Sequence, residues 1–478
     1  MTAARARVLS PELALARLTR AREALGGARR GRLGASMFDN RVASFAHGEG
    51  MRRPPPTSVV AGIHALLDVD ESALEDYLFL QSCRVLEDAI ETRMRAEQVD
   101  PQRASNVVVD SGSTRLIFNA LLTSTSPGDL VLTAPGFYHP LASWTALAKL
   151  DLGVADPRAC RPGILTRAGL EDWDDGISRG RLVAPQVMVL FNPSLAGTTY
   201  TVDELEAVAT WARKWRALVI EDRVFERTVY PGVAGALPFS SVAPDVPGMS
   251  VHSVTKAECL ANLRIGWACC DTHLATRLQS CTVATSASVP QVSKLAAAAA
   301  LLAPVSFVEA NAREARHRYE LLRDELGTAA DPRGELVELA RPEAGHSLYV
   351  HLPTVSDIDS IDLCEYLLDE WSVAISPGYS AGYEGAVFRL SFACLGHRQE
   401  ARTATAREVA LAERYVARRR FGEVHFEDVL QLGDPPALDE AADPWLPGRE
   451  ELIEAVRTRL VPGLAAAVDR PRDEGRSA

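Results

Sequence analysis

The sequence has no long apolar run. Its longest such stretch, residues 295–303, is rich in alanine and ends at Pro304. A helix needs roughly 20 apolar residues to cross the hydrocarbon core of a bilayer. We therefore expect a protein that does not span a membrane.

Paired cysteines and an excess of positive charge are also absent from the sequence. None of the eight cysteines forms a C-x-x-C pair, and only Cys269 and Cys270 are adjacent. This pattern is typical of reduced packing residues rather than of a disulfide or zinc framework, so we expect a cytoplasmic protein without a bound metal. The net charge of −12 argues against a nucleic acid as partner.

Lysine is the rarest of the charged residues. Among 51 basic residues, the only lysines are Lys149, Lys214, Lys256 and Lys294. Lys149 ends a helical run and Lys214 lies in a charged helix end, so both are interpreted as solvated. A reaction that needs a lysine amine therefore depends on Lys256 or on Lys294, which opens an alanine-rich helix.

The residues that are abundant indicate an α/β protein with a large core. The chain has 478 residues, 47% of them hydrophobic and 24% charged, which suits two or three folded domains. Short runs rich in β-branched residues alternate with helical stretches, at residues 107–109, 130–132, 187–191, 218–220, 251–254 and 265–268. Such alternation predicts a mostly parallel sheet with helices on both faces.

The pattern along the chain also predicts the domain organisation. We expect a helical extension (residues 1–35), a first segment of a small domain (36–75), a large domain (76–304), the rest of a small α+β domain (305–420) and an acidic appendage with one helix (421–478).

Polar residues follow several of the predicted strands, at the sheet edge where ligands bind in α/β proteins. Gly112, Ser113 and Thr114 precede a helix, and free amides at a helix N-terminus attract a phosphate, although an ordinary helix cap uses the same residues. Asp222 follows another strand and is either a salt-bridged carboxylate or a partner for a protonated ring nitrogen.

Lys256 follows the strand at residues 251–254 and stands eight residues before Arg264. A lysine between a strand and a close turn is unusual for a surface charge. Desolvation and nearby cations would lower its pKa and make it a competent nucleophile.

These motifs together resemble fold type I pyridoxal-phosphate enzymes of the class I/II aminotransferase group, from about residue 44 to about residue 418. The run S-V-T-K that ends at Lys256, followed by the R-I-G run at Arg264, is similar to the family's S-x-[ST]-K and R-x-G. The resemblance implies that Lys256 forms the Schiff base with pyridoxal 5'-phosphate. It also implies that Ser253 and Arg264 bind the cofactor's phosphate.

Further motifs extend the resemblance around the cofactor ring. Gly112, Ser113 and Thr114 match the family's phosphate-binding turn, and the P-G-F run that ends at Phe137 matches the segment whose aromatic residue stacks on the pyridine ring. Asp222 matches the carboxylate that pairs with the ring nitrogen.

Three other positions complete the implied site. Asn192 opens a loop similar to N-P-x-N-P-T-G, whose asparagine contacts the cofactor O3' and the substrate. Arg389, in the run F-R-L-S-F, matches the arginine that grips the substrate α-carboxylate. Tyr77, in the run D-Y-L, resembles the tyrosine that reaches the partner's phosphate, which implies a homodimer with shared active sites.

The resemblance implies a fold and a reaction. The expected fold is a large domain with a mostly parallel seven-stranded sheet plus a smaller α+β domain. The expected reaction is transamination of an amino acid, in which Asp222 keeps the ring nitrogen protonated and Lys256 is the general base.

The chain also departs from the family pattern where substrate would meet cofactor. The family's D-x-x-Y is Asp222-Arg-Val-Phe225 here, so Phe225 brings no hydroxyl to O3'. The loop at Asn192 is one residue shorter and lacks the second N-P, and glycines expected near Gln81 and Ser82 are absent. Elimination, replacement or cyclisation on an activated amino acid such as S-adenosylmethionine, as in aminocyclopropane-carboxylate-synthase-like relatives, therefore stays open beside transamination.

Two alternatives belong to other protein classes. Ser253 and Lys256 also fit the S-x-x-K of serine acyl-transfer enzymes, but the chain has no K-T-G triplet. A non-catalytic aminotransferase-like domain of a transcription regulator would need a winged-helix domain in front, for which about 35 residues are too few.

Overall fold

The computed structural model describes residues 6–26, 41–46, 48, 53–67, 83–329, 337–353, 358–393, 406–419, 424–432 and 446–469. The strands are β1 (Arg7–Leu9), β2 (Ala43–Ser44), β3 (Val107–Asp110), β4 (Leu130–Thr133), β5 (Asp151–Val154), β6 (Val187–Phe191), β7 (Leu218–Asp222), β8 (Gly248–Ser253), β9 (Gly266–Cys270), β10 (Val337–Glu338), β11 (Ser347–His351), β12 (Val373–Ala374), β13 (Ser376–Pro377) and β14 (Val387–Ser391).

The helices before the small domain are α1 (Pro11–Ala24), α2 (Pro56–Leu67), α3 (Arg84–Ala96), α4 (Pro101–Ala104), α5 (Ser113–Ser124), α6 (Pro140–Leu147), α7 (Arg167–Ser178), α8 (Val202–Trp215), α9 (Phe239–Val242), α10 (Thr272–Ser286) and α11 (Gln291–Leu301). They are followed by α12 (Val305–Ala329), α13 (Ser360–Trp371), α14 (Ala406–Arg419), α15 (Phe426–Leu430), α16 (Leu446–Ala455), one π-helical turn (Val456–Leu460) and α17 (Val461–Asp469).

The large sheet has the strand order β1-β5-β4-β6-β7-β8-β9-β3. Strands β5, β4, β6, β7 and β8 run parallel, whereas β9 is antiparallel to both of its neighbours and β1 is antiparallel to β5. The predicted mostly parallel sheet is therefore confirmed. Strand β1 extends the expected seven strands to eight.

Alternate residues of the central strands face opposite sides of this sheet, as a pleated strand requires. Val131 and Val189 lie in one apolar cluster, with residues of α5 and α6. Leu132 and Leu190 lie in the other, with residues of α7 and α8. Because both faces are covered, the strand ends are what remains open to a ligand.

The small domain is built on the antiparallel sheet β10-β11-β14-β13. Leu348 of β11 and Phe388 of β14 are fully buried against Leu322 of α12 and Leu367 of α13. Strand β2, from the N-terminal part of the chain, pairs in parallel with β12.

The N-terminal extension is more than a helix. Strand β1 hydrogen-bonds with β5 at the edge of the large sheet. Helix α1, capped by Ser10 whose side chain accepts from the Leu13 amide, continues to the small domain, where Arg17 donates to the carbonyls of Tyr379 and Tyr383. The extension therefore joins the two domains.

The predicted boundary of the acidic appendage is corrected by the C-terminal helices. Residues Leu452, Val456, Leu460 and Leu464 are buried in the small-domain core. The last 58 residues thus contain more than one helix, and part of them packs into the core of the small domain.

The helices α2 and α14 also depart from the predicted domains. Both were expected in the small domain, yet Val60 of α2 and Leu411 of α14 share an apolar cluster with Leu295 of α11. His64 Nδ1 and the Tyr415 hydroxyl lie 3.2 Å apart at this contact. Both helices pack on the large domain.

No single helix of the described residues is long and apolar enough to cross a bilayer. Together, Gln291–Leu301 and Val305–Gly327 reach the required length and composition, but they form a pair bent by 82°.

Candidate active site

A cavity of about 310 Å³ opens at the carboxyl ends of the parallel strands, between the two domains. Phe191 and Asp222 end β6 and β7, and Lys256 follows β8, while the small domain contributes Arg389 of β14. The lining residues are Ala46, Gly48, Thr114, Tyr138, His139, Phe191, Pro193, Leu195, Asp222, Val224, Phe225, Thr255, Lys256, Ala261, Arg264, His346, Ser347, Arg389 and Ser391.

Lys256 is brought into the cavity by the turn after β8. The Ser253 side-chain oxygen accepts a hydrogen bond from the Thr255 amide at 3.1 Å, which bends the chain directly after the strand. The Lys256 ammonium donates to the Gly48 carbonyl at 2.5 Å and lies 5.5 Å from the centroid of the Phe225 ring. The amine is therefore held at the cavity wall beside an aromatic ring.

Asp222 provides the carboxylate of the cavity. Burial raises the pKa of this carboxyl to about 7, although the Val224 amide, which donates to Oδ1 at 3.1 Å, and the nearby Lys256 ammonium lower it. A cation placed against Asp222 would restore the charge that burial disfavours.

An anion-binding geometry lies at the start of α5. Gly112 precedes this helix with φ +86 and gives it no side-chain cap, so the first amides stay available. A Cβ at Gly112 would lie 2.8 Å from Arg264 Nη2. The absence of a side chain here lets the guanidinium approach the helix terminus, and Thr114 and Thr255 line the cavity nearby.

Not every predicted phosphate ligand faces the cavity. Gly112 and Ser113 shape the turn before α5 but do not line the cavity. Ser253 does not line it either, because its hydroxyl lies 2.9 Å from the Ile265 carbonyl and 2.5 Å from the Thr255 hydroxyl. Thr255 is the hydroxyl residue of this run that lines the cavity.

Among the described residues, neutral oxygens hold Arg389. Its Nη2 donates to the Ala46 carbonyl at 2.9 Å and to the Ser376 hydroxyl at 3.2 Å. Its Nε is buried and has no hydrogen-bond partner among the described residues, and no described carboxylate pairs with it. A buried guanidinium with an unused donor suits an anionic ligand.

Phe137 and Asn192 do not line the cavity. The Phe137 ring is 1% exposed and packs in the large-domain core, whereas the next residue, Tyr138, lines the cavity. The Asn192 amide nitrogen donates to the Glu221 carboxylate at 2.8 Å and to the Leu237 carbonyl at 2.9 Å. These hydrogen bonds hold the Asn192 side chain inside the protein, and it does not line the cavity.

The three remaining candidate residues lie in different places. Phe225 lines the cavity, with its ring steeply inclined to that of His346. Tyr77 lies outside the described residues. Lys294, the other lysine that the sequence left as a candidate nucleophile, lines a separate cavity of about 150 Å³ with Cys83 and Glu87.

Sequence reasoning missed several lining residues, among them His139, Leu195 and His346. His139 directly follows Tyr138, and Leu195 lies in the shortened loop that was already recognised as unusual. His346 follows Gly345 at the start of β11, a position that carries no motif of its own.

Comparison with known proteins agrees with this architecture. The family described as aminotransferase class I and II matches residues 51–407. The probable aspartate/prephenate aminotransferase of Rickettsia conorii is 24% identical over 334 residues, which cover 66% of this chain and 79% of that protein. The bifunctional aspartate aminotransferase and glutamate/aspartate-prephenate aminotransferase of Petunia hybrida is 26% identical over 374 residues, covering 74% and 73%.

Solved structures share the fold. The probable N-succinyldiaminopimelate aminotransferase from Thermus thermophilus matches with a TM-score of 0.65 and 21% identity, over 92% of this chain and 100% of that chain. The aspartate aminotransferase from Rhizobium meliloti matches with a TM-score of 0.65 and 19% identity, over 87% and 94%.

The family match and the fold define a transferase of the pyridoxal-phosphate type, with a cavity between its two domains. The chain belongs to the class I and II aminotransferase family, and it is an aminotransferase that depends on pyridoxal 5'-phosphate and acts on an amino acid. The cavity fits this cofactor, because it combines an amine, a buried carboxylate and a helix terminus that is open to an anion.

Proposed function

We propose that the cavity between the domains is the transamination site and that Lys256 is the lysine that bonds to the cofactor. When bound, pyridoxal 5'-phosphate supplies an aldehyde that condenses with an amine and a ring that withdraws electrons from the α-carbon of the substrate. The observation that carries the proposal is the convergence of Lys256, Asp222 and Arg389 on one cavity.

Three groups hold the cofactor in this proposal. The ionised Asp222 carboxylate would pair with the protonated ring nitrogen, which offsets the cost of burying both charges. The start of α5, Arg264 and the Thr114 and Thr255 hydroxyls would hold the phosphate. Tyr138, rather than Phe137, presents the aromatic ring to the cofactor.

Lys256 would also act on the substrate, as the amine that takes the proton from the α-carbon and returns it elsewhere. Arg389 binds the α-carboxylate and so fixes the orientation of the α-carbon toward Lys256.

The proposal includes a homodimer, with Tyr77 of each subunit serving the phosphate bound by the other. Its support is the D-Y-L run at Tyr77. A cytoplasmic location is proposed as well, supported by the described cysteines, which form no disulfide with one another.

Lys256→Ala tests the central assignment. Borohydride treatment of the holoenzyme, followed by digestion and mass spectrometry, should fix the cofactor on the peptide that contains Lys256, and the variant should yield no such adduct. Lys214→Ala is the matched control, because Lys214 is exposed and pairs with Asp174. A cofactor adduct on Lys294 in wild-type protein would overturn the assignment.

A further inference from the structure

Two histidines that the proposed roles do not use face the active-site cavity. His139 directly precedes α6 on the large-domain side, and His346 directly precedes β11 on the small-domain side. Ser347 lines the same small-domain wall. The two imidazoles therefore approach the cavity from both domains.

The position of His346 is firmly held. Its ring meets the Phe225 ring edge to face, with 5.4 Å between centroids. Its carbonyl accepts from the Phe392 amide at 3.0 Å, and the preceding Gly345 amide donates to the Thr228 hydroxyl at 3.0 Å. The imidazole is 5% exposed and so cannot swing out to solvent without disturbing this packing.

Both imidazoles are uncharged at neutral pH. Burial lowers the pKa of His346 to about 3, and the Lys256, Arg389 and Arg318 cations lower it further. Burial also lowers the pKa of His139 to about 3, with Arg389 and Arg22 acting in the same direction. Arg389 is thus a common neighbour of both rings.

The cations of the described lining residues are already assigned. They are Lys256, Arg264 and Arg389, which the proposed function gives to the cofactor, its phosphate and the substrate α-carboxylate. Apart from the Asp222 carboxylate, the other described lining residues of this subunit are either apolar, as at Leu195 and Phe225, or neutral and polar. A second carboxylate buried against these residues would lose its hydration without gaining a cation from them.

We propose that the side chain of the amino-acid substrate lies between His139 and His346, and that this part of the cavity selects uncharged, hydrogen-bonding side chains over carboxylates. The inference rests on the proposed function, because Arg389 places the substrate only if it binds the α-carboxylate. Each imidazole nitrogen that lacks a proton accepts a hydrogen bond and the other donates one, which suits an amide or a hydroxyl.

Amide and carboxylate amino acids of the same shape test the selection. Asparagine against aspartate, and glutamine against glutamate, differ in charge and hardly in size. We expect kcat/KM of the holoenzyme to be at least about tenfold higher for the better amide than for its carboxylate counterpart, because a site of neutral hydrogen-bonding groups leaves a buried charge unpaired. Dissociation constants of the α-methyl analogues, which cannot lose an α-proton, should follow the same order.

Arginine variants test the residues themselves. His346→Arg and His139→Arg each place a cation in the wall and should shift the amide-to-carboxylate ratio toward the carboxylate by at least about tenfold. His273→Arg, on the exposed surface of α10, is the control and should leave the ratio unchanged. Cofactor content and circular dichroism establish that each variant is folded and loaded.

The outcomes separate this inference from the proposed function. If no amino acid changes the absorbance of the bound cofactor, the proposed function fails. If the wild-type enzyme turns over aspartate or glutamate in preference to the amides, or if the two arginine variants keep the wild-type ratio, the inference is overturned while the proposed function stands. The comparison of amide and carboxylate substrates with the wild-type enzyme tests the inference even if an arginine variant does not fold.

Discussion

Phe225 determines the polarity of the cavity wall next to Lys256. Its ring lies between the Lys256 ammonium, 5.5 Å from the ring centroid, and the His346 imidazole. Leu195 adds a second apolar side chain to the wall. A phenolic oxygen of a cofactor at this wall would find few side-chain donors, since Asn192 is engaged elsewhere.

Phe225→Tyr should supply the missing donor. A hydrogen bond to a charged oxygen is worth roughly 1.5 to 3 kcal/mol, so the pH at which the visible absorbance of the bound cofactor changes should fall by about one to two units. A spectral titration of the loaded variant measures this. An unchanged titration with the cofactor fully bound would mean that Phe225 does not face that oxygen.

The Asp222 carboxyl makes the stability of the cofactor-free protein depend on pH. Its pKa is raised by burial to about 7 from an ordinary value of 3.8, so the folded state binds this proton more tightly than the unfolded chain does. The stabilisation from the protonated carboxyl is complete below about pH 4 and is lost as the pH rises through 7, amounting to roughly 4 kcal/mol.

Asp222→Asn should remove that dependence, because the amide is neutral throughout. The free energy of unfolding of the cofactor-free variant, relative to cofactor-free wild type, should rise between pH 4 and pH 8. Urea unfolding at several pH values measures it. If the difference in the free energy of unfolding stays constant over this pH range, Asp222 is not a buried carboxyl with a raised pKa.

At the scale of elements, α1 is the connection that the helical pattern of residues 1–35 did not predict. The Arg17 guanidinium lies 3.5 Å from the centroid of the Tyr379 ring and bonds with two carbonyls and Glu384. Arg20, one turn later, is half exposed and reaches Asp359 at 3.3 Å. The same helix therefore offers a buried and an exposed arginine for comparison.

Arg17→Leu should lower the free energy of unfolding by roughly 2 to 4 kcal/mol, because it leaves the buried carbonyls of Tyr379 and Tyr383 without their charged donor. Arg20→Leu should cost less than about 1 kcal/mol, as exposed ion pairs do. Chemical unfolding of both variants gives the comparison. Equal losses would mean that α1 does not fasten the small domain through Arg17.

The elements that the sequence predicted well are those with strong local patterns. Strands β4, β6, β7 and β8 are β-branched or apolar runs and form where expected. Strand β5 contains Gly153 and begins at Asp151, so its local propensity is weak and it lies outside the predicted β-branched runs. Strand β1 has three residues and exists through its pairing with β5, which no local pattern contains.

The site was predictable to the extent that its residues lie in motifs. Lys256, Asp222 and Arg389 line the cavity, whereas Phe137 and Asn192 do not. The choice between Phe137 and Tyr138 depends on the turn at Gly136, which has φ +88. The direction of Asn192 depends on Glu221, a partner from a neighbouring strand, so both required the tertiary structure.

At the scale of the whole molecule, the cavity depends on both domains and, in the proposed dimer, on both subunits. Mixing Lys256→Ala subunits with Tyr77→Ala subunits tests the sharing of sites. In a mixed dimer, one site would combine an intact Lys256 with an intact Tyr77, and the other would carry both changes. Random assortment should therefore restore about a quarter of wild-type activity.

Each variant alone should be nearly inactive, and sedimentation of the mixture should show dimers. Recovery no greater than the sum of the separate activities, with mixed dimers present, would place Tyr77 outside the partner's site. A fully active monomer would refute the dimer itself.

The pairing of β1 with β5 has a consequence for the solubility of the chain and for the order in which it folds. Unpaired sheet edges template association between chains, and proteins limit this with short, charged edge strands. Here the edge of β5 is covered by three residues that include Arg7, which pairs with Glu384. Since β5 ends at Val154, a growing chain has to reach that residue before its first strand can close this edge of the sheet.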